Sequence, residues 1–214
     1  MMKYYQELEL KPQDEISLHF LWSKIFQQIH LGLVEMKDDQ GHVSIGVAFP
    51  EYVMGEKFRV LGGKCRLFAV DEATLVKFDA VKWLSRLSDY VHCTSIRPVP
   101  DKLKGYARYQ RLQPKTSPER LARRYAKRKG VDFADAFNST IQLNNAIGTS
   151  ASYVQTFRYC DMPIPMVTTP FIRLQSLSGG QTFCLWIKKT VQTEVSGGTF
   201  STYGLSAEST VPEF

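Results

Sequence analysis

The chain has little of what usually staples or anchors a protein. Four cysteines, Cys65, Cys93, Cys160 and Cys184, are scattered through 214 residues with no CxxC pair and no histidine pair at zinc spacing. A disulfide framework or a zinc site is therefore not expected, and reduced thiols are. No metal and no cofactor are expected. No run of 18 apolar residues occurs, and Met1-Met2-Lys3-Tyr4-Tyr5-Gln6 lacks an apolar signal core. Neither a membrane span nor secretion is expected, and a cytoplasmic protein is. The 43% of apolar residues excludes disorder as the main state.

Acidic residues are nearly missing from one stretch. Between Lys102 and Lys129 eleven basic residues face a single acid, Glu119, giving +10, so the rest of the chain must sum to −4 to reach the net +6. One segment thus carries the whole positive excess, the electrostatic footprint of a polyanion binder.

Patterning along the chain predicts an α+β fold. Residues 3 to 10 alternate as a half-buried strand, and Leu18, Leu21, Trp22, Ile25, Ile29 and Leu33 form one helical stripe. Strands are expected over Val43–Phe49, Lys64–Val70 and Val91–Val99, with a helix after Asp71 as N-cap. The order β-α-β-β-α-β is that of a ferredoxin-like, RRM-like domain, expected over residues 1–101. A second domain, 102–214, is expected to hold a basic arm, an arginine-rich helix and a small antiparallel β element. The arm, Lys102–Gln113, reads as irregular. The helix reads from Ser117 and Pro118 to Lys129, with Thr116 and Glu119 as an alternative capping box and Gly130 as its stop. Beyond it, a helical patch is expected near Phe133–Ile141, then a polar loop. A hairpin is expected from Phe171–Leu177 and Gln181–Lys188, and a last strand or arm at Thr199–Leu205.

On the arginine-rich helix, at about 100° per residue from Arg120, the side chains of Arg120, Arg123, Arg124, Lys127 and Arg128 fall between about −60° and +80°. Leu121, Ala122, Tyr125 and Ala126 take the remaining arc, so the helix can pack on one side and present cations on the other. Five cations without an interleaved acid repel one another and call for an outside anion. His30 falls near 140° from Ile25, at the edge of the apolar stripe, where an imidazole is shielded yet reachable. Spacing alone favours a surface or packing residue over a catalytic one. Ser176, Ser178 and Tyr203 are explained by turns and a glycine-flanked strand, and Phe183 reads as core or as a base-stacking platform. From the residues themselves a non-catalytic RNA-binding module, with His30 and Ser176 structural, stays open, as does a basic DNA-binding protein.

Five segments in order resemble the CRISPR repeat-processing endoribonuclease family of the type I-F (Ypest) subtype. They are Phe26-Gln27-Gln28-Ile29-His30, Ile45-Gly46-Val47-Ala48-Phe49-Pro50, Arg111 to Arg124, Ser176-Leu177-Ser178-Gly179-Gly180-Gln181-Thr182-Phe183, and Tyr203-Gly204-Leu205-Ser206. The resemblance implies that His30 is a general base, that Ser176 holds an attacking 2′-hydroxyl and that Tyr203 orients the site. It implies that Arg111 and Gln113 read base edges at the foot of an RNA hairpin and that Phe183 stacks beside the scissile nucleotide. Lys115, Arg120, Arg123, Arg124, Lys127, Arg128 and Ser178 are implied to contact the RNA. Lys127 stands where the family often has Arg, keeping the charge without the fork, and Ala122 replaces a further basic position. The implied partners are the CRISPR repeat RNA and the other subunits of a crRNA-guided surveillance complex.

Overall fold

Alternation in the first ten residues builds the middle of a sheet. In β1 (Tyr4–Leu10) Gln6, Leu8 and Leu10 are buried while Glu9 is exposed. The computed structural model describes residues 1–56, 58–113, 117–147, 151–161, 167–176 and 179–214. Helix α1 (Leu18–Glu35) starts at Ser17, whose hydroxyl accepts the Phe20 N–H at 3.3 Å. Its stripe of Ile25, Phe26, Ile29 and Leu33 is wholly buried, each side chain contributing roughly 1.5–3 kcal/mol on transfer from water.

The expected strand over Val43–Phe49 forms as two pieces. His42–Val43 pairs with Phe200–Ser201, and β2 (Gly46–Ala48) pairs with β3 (Lys64–Ala69). Helix α2 (Glu72–Phe78) is capped by the Asp71 carboxylate, which accepts the Thr74 N–H at 2.8 Å. Asp79, at φ 49°, ends it and caps the short helix Ala80–Trp83. The last expected strand is also split, into β4 (Val91–Cys93) and Arg97–Pro98, both antiparallel to β1. Thr94 lies between them, its N–H donating to Glu7 O at 2.9 Å. The strands run β2-β3-β1-β4, every neighbouring pair antiparallel.

A second antiparallel sheet corrects the reading of Lys102–Gln113 as an irregular arm. Gly105–Leu112 is a strand, β5, with Ala107 and Tyr109 buried. The inward residues are one small side chain and one tyrosine, and Arg108 and Gln110, each next in sequence after one of them, mask the alternation. A strand with one wet face tolerates this pattern.

The chain folds into two compact units, residues 1–112 with 168–214, and residues 113–167. This division places β5 and the C-terminal strands with the N-terminal residues. Residues 113–167 hold α3 (Pro118–Lys129), α4 (Phe133–Asn138), and the antiparallel pair β6 (Thr140–Ile147) and β7 (Ala151–Arg158). The helical patch therefore stops at Asn138, and a hairpin replaces the expected polar loop. Its Gln- and Asn-rich composition runs against strand propensity, so pairing decides the outcome there.

In the first unit, the expected hairpin is present as β8 (Phe171–Gln175) and β9 (Thr182–Gln192), and the chain ends in β10 (Phe200–Ser201) and β11 (Val211–Glu213). The second sheet has the order β8-β9-β5-β11. Residues of both sheets of this unit and of α1 and α2 join one apolar core. Among the described residues no helix is long and apolar enough to cross a membrane.

Candidate functional site

A turn near the C-terminus meets the edge of α1. The ladder between Phe200–Ser201 and His42–Val43 brings the late chain back toward the end of that helix. Beyond it, Ser201–Leu205 closes tightly, with Gly204 N–H on Ser201 O at 2.7 Å and Ser201 N–H on Leu205 O at 2.9 Å. Gly204 sits at φ +67°, and the Val47 N–H donates to its carbonyl at 2.8 Å. A Cβ there would lie 2.2 Å from a Val47 methyl, so both backbone and space require glycine.

This turn holds His30. The imidazole is only 8% exposed. Its Nδ1 lies 2.8 Å from the Thr202 carbonyl oxygen. A carbonyl only accepts, so Nδ1 carries the proton and, in the neutral ring, Nε2 carries the lone pair. Tyr203 stacks on the imidazole, ring centroids 4.1 Å apart and planes 10° from parallel. Burial holds the His30 pKa below its ordinary 6.5; the Thr202 hydrogen bond acts the other way, and the Arg111 charge adds to the lowering. Burial likewise raises the Tyr203 phenol, partly offset by Arg111.

Arg111, near the end of β5, places its guanidinium 5.3 Å from the Tyr203 ring centroid and 5.4 Å from that of Phe183. Phe183 in turn meets Tyr203 edge-on, with centroids 6.4 Å apart. Ser176 follows β8 in a turn, its N–H donating to Gln181 O at 2.8 Å and its carbonyl accepting the Gly180 N–H at 3.0 Å. His30, Val34, Lys37, Gln175, Ser176, Phe183, Thr202 and Tyr203 line a cavity of about 290 Å³. A neutral imidazole, a hydroxyl, a lysine and a nearby guanidinium in one cavity suit proton removal from an alcohol beside a phosphate. Among the described residues no cluster of three or more His, Cys, Asp or Glu is arranged to hold a metal ion.

The fold thus brings together His30, Ser176, Tyr203, Phe183 and Arg111 from four separate stretches of sequence. Spacing did not single out Lys37, Gln175 or Thr202. Thr202 acts through its carbonyl, which no side-chain pattern can reveal.

The remaining candidates belong to residues 113–167, apart from Ser178. On α3 Arg120, Arg123, Arg124, Lys127 and Arg128 are all exposed, whereas Pro118, Ala122 and Ala126 are buried. None of the five cations takes part in an ion pair among the described residues. Arg123 lies 5.4 Å from the Phe133 ring centroid and Arg128 lies 5.8 Å from that of Tyr125. Gln113 is exposed. Ser117 occupies the N-cap position without a side-chain cap bond, its hydroxyl donating to the Glu119 carboxylate instead. Lys115 and Ser178, with Thr116 of the alternative capping box, lie outside the described residues.

The family model of the CRISPR-associated protein Cas_Csy4 matches residues 5–214. Two curated relatives are similar along their whole length. "CRISPR-associated endonuclease Cas6/Csy4" of Escherichia coli (strain UTI89 / UPEC) is 30% identical over 216 residues, covering 100% of both chains. The protein of the same name from Pseudomonas aeruginosa (strain UCBPP-PA14) is 30% identical over 214 residues, again covering 100% of both. A family match over nearly the whole chain, joined by full-length relatives, leads to one conclusion: this chain belongs to the Csy4 family of CRISPR-associated proteins.

Proposed function

We propose that the protein is the endoribonuclease that matures precursor crRNA in a type I-F system, binding the repeat hairpin and cutting at the 3′ foot of its stem. One observation carries this reading: His30 is tied through Nδ1 to a backbone carbonyl, so its Nε2 is the basic nitrogen in a cavity that Ser176 and Tyr203 also line. The relatives' designation as endonucleases supports it.

In the reaction Nε2 takes the proton of the 2′-hydroxyl, whose oxygen attacks the adjacent phosphorus. The new P–O2′ bond replaces the P–O5′ bond, leaving a 2′,3′-cyclic phosphate and a 5′-oxygen that is protonated to a hydroxyl. RNA supplies the nucleophile, so no metal is needed to generate one. Ser176 holds the attacking hydroxyl, and Tyr203 fixes the ring plane of His30. Lys37 and Arg111 are the cations at hand for the charge that develops on the phosphorane.

Phe183 stacks beside the scissile nucleotide, and Arg111 with Gln113 reads base edges at the stem foot. The cationic face of α3 follows the phosphates, with Arg120, Arg123, Arg124, Lys127 and Arg128 as its contacts and with Lys115 and Ser178 adding others. A short hairpin opens the major groove at its ends, which relaxes the usual barrier to side chains in A-form RNA. Residues 1–101 act as a ferredoxin-like domain that carries His30, a reading supported by the sheet order β2-β3-β1-β4, and residues 102–214 supply most RNA contacts. The protein then stays on the mature crRNA as a cytoplasmic subunit of the surveillance complex.

Incubation of the protein with a labelled repeat hairpin in EDTA tests this reading. Cleavage is expected at the 3′ foot, and a 2′-deoxy nucleotide at the scissile position is expected to block it. Turnover of the deoxy substrate excludes the cyclising mechanism, and tight binding without any cleavage makes the protein a binding module.

A further inference from the structure

A larger concavity adjoins the catalytic cavity and shares Gln175 with it. It has a volume of about 680 Å³, within the roughly 300–1,000 Å³ of ligand sites. Helix α1, the short helix Ala80–Trp83 with the turn after it, and strands β8 and β9 form its walls.

Its lining is cationic. Lys24, Lys82, Arg86 and Arg173 face one acid, Glu35, a balance of 4 − 1 = +3. All four cations are exposed, and among the described residues none is in an ion pair. Such a wall concentrates an anion. The other lining groups suit unpaired nucleotides: the amides of Gln27, Gln28 and Gln175 match base edges, and Trp83 adds an aromatic surface. The Gln27 side-chain oxygen already accepts the Gln175 backbone N–H at 3.1 Å, while its buried Nε2 has no acceptor among the described residues. An unpaired buried donor is costly, and a bound acceptor offsets that cost.

The two concavities open on adjoining faces of α1. At about 100° per residue from Ser23, Gln27, Lys24 and Gln28 fall near 40°, 100° and 140°, and His30 near −20°. Arg173 and Gln175 are exposed on the same face of β8, so a strand passing Gln175 out of the catalytic cavity meets Arg173 next.

We propose that this groove binds the single-stranded RNA on the 3′ side of the scissile phosphate, the part of the precursor that departs after cleavage. The inference rests on the endoribonuclease reading above. In that reading the nucleotide carrying the 2′-hydroxyl belongs to the stem foot and is held by Arg111, Gln113 and Phe183. The groove cations are separate from those contacts, and the strand beyond the cut is unpaired, with bases free to meet amides and an aromatic ring. The groove therefore favours uncut precursor over product.

Binding is measured with three hairpins, each carrying a 2′-deoxy nucleotide at the scissile position. One ends just past the scissile phosphate, one continues about ten nucleotides on the 3′ side, and one is extended equally on the 5′ side. The unmodified protein is expected to bind the 3′-extended form severalfold more tightly, with a salt slope steeper by about 0.7 for each added phosphate contact. The exposed triple variant Lys82→Glu, Arg86→Glu, Arg173→Glu is expected to lose that gain while binding the short hairpin, and cutting its ribose form, as before. Equal affinity for all three hairpins, a gain from the 5′ extension alone, or a gain that survives in the variant overturns the groove assignment. Failure of the unmodified protein to bind even the short hairpin overturns the endoribonuclease reading itself.

Discussion

His30 combines two requirements of a general base that usually conflict, being buried enough to be held and basic enough to act. The Thr202 carbonyl fixes the tautomer, and burial keeps the ring neutral at lower pH than a free imidazole. The single-turnover cleavage rate is therefore expected to rise with pH through a midpoint below 6.5 and then level off; a midpoint above 6.5 contradicts the burial argument. Tyr203→Phe keeps the stacked ring and should leave that midpoint close to its place, whereas Tyr203→Ala removes shielding and should move it up toward 6.5. The same depression affects stability. In the window below 6.5 the unfolded chain binds the extra proton, so the contribution is present above that pH and is lost as pH falls through the lowered native value. His30 was legible in the sequence as a shielded residue at the edge of a stripe. Its hydrogen-bond partner was not, because a main-chain oxygen brought from 172 residues away leaves no mark on residue type.

At the scale of elements, the Ser201–Leu205 turn decides where Thr202 and Tyr203 stand. Gly204→Ala places a Cβ against Val47 and forces a left-handed backbone on alanine. A loss of about 1–3 kcal/mol is expected for such strain, read as a lowered unfolding midpoint, together with slower cleavage. Unchanged stability and rate would mean that the turn does not set the site. The same scale separates what the sequence shows from what it hides. The α1 stripe, the Asp71 cap and the α3 boundaries were legible because apolar spacing and end residues agree. Strand β5 was hidden because Arg and Gln alternate with its inward Ala107 and Tyr109, and pairing to β9 and β11 makes it a strand. The β6–β7 hairpin was hidden by polar composition.

For the whole molecule, charge and chemistry occupy different parts of the chain, except that Arg111 of the basic segment also reaches the site. Residues 102–129 carry +10, while His30, Ser176 and Tyr203 belong to the remainder, which is net negative. Binding and cutting should therefore separate by mutation. Replacing Arg123 and Arg124 with Gln is expected to weaken hairpin affinity and flatten its dependence on log salt by about 0.7–0.9 per lost phosphate contact. An unchanged slope removes α3 from the interface. The complementary substitution is the most direct test of the account. His30→Ala, assayed in single turnover in EDTA on a ribose repeat hairpin, should cut at least about 10²-fold more slowly while binding the hairpin with unchanged affinity. Cleavage by this variant at the unmodified rate would contradict the assignment of His30 as the base.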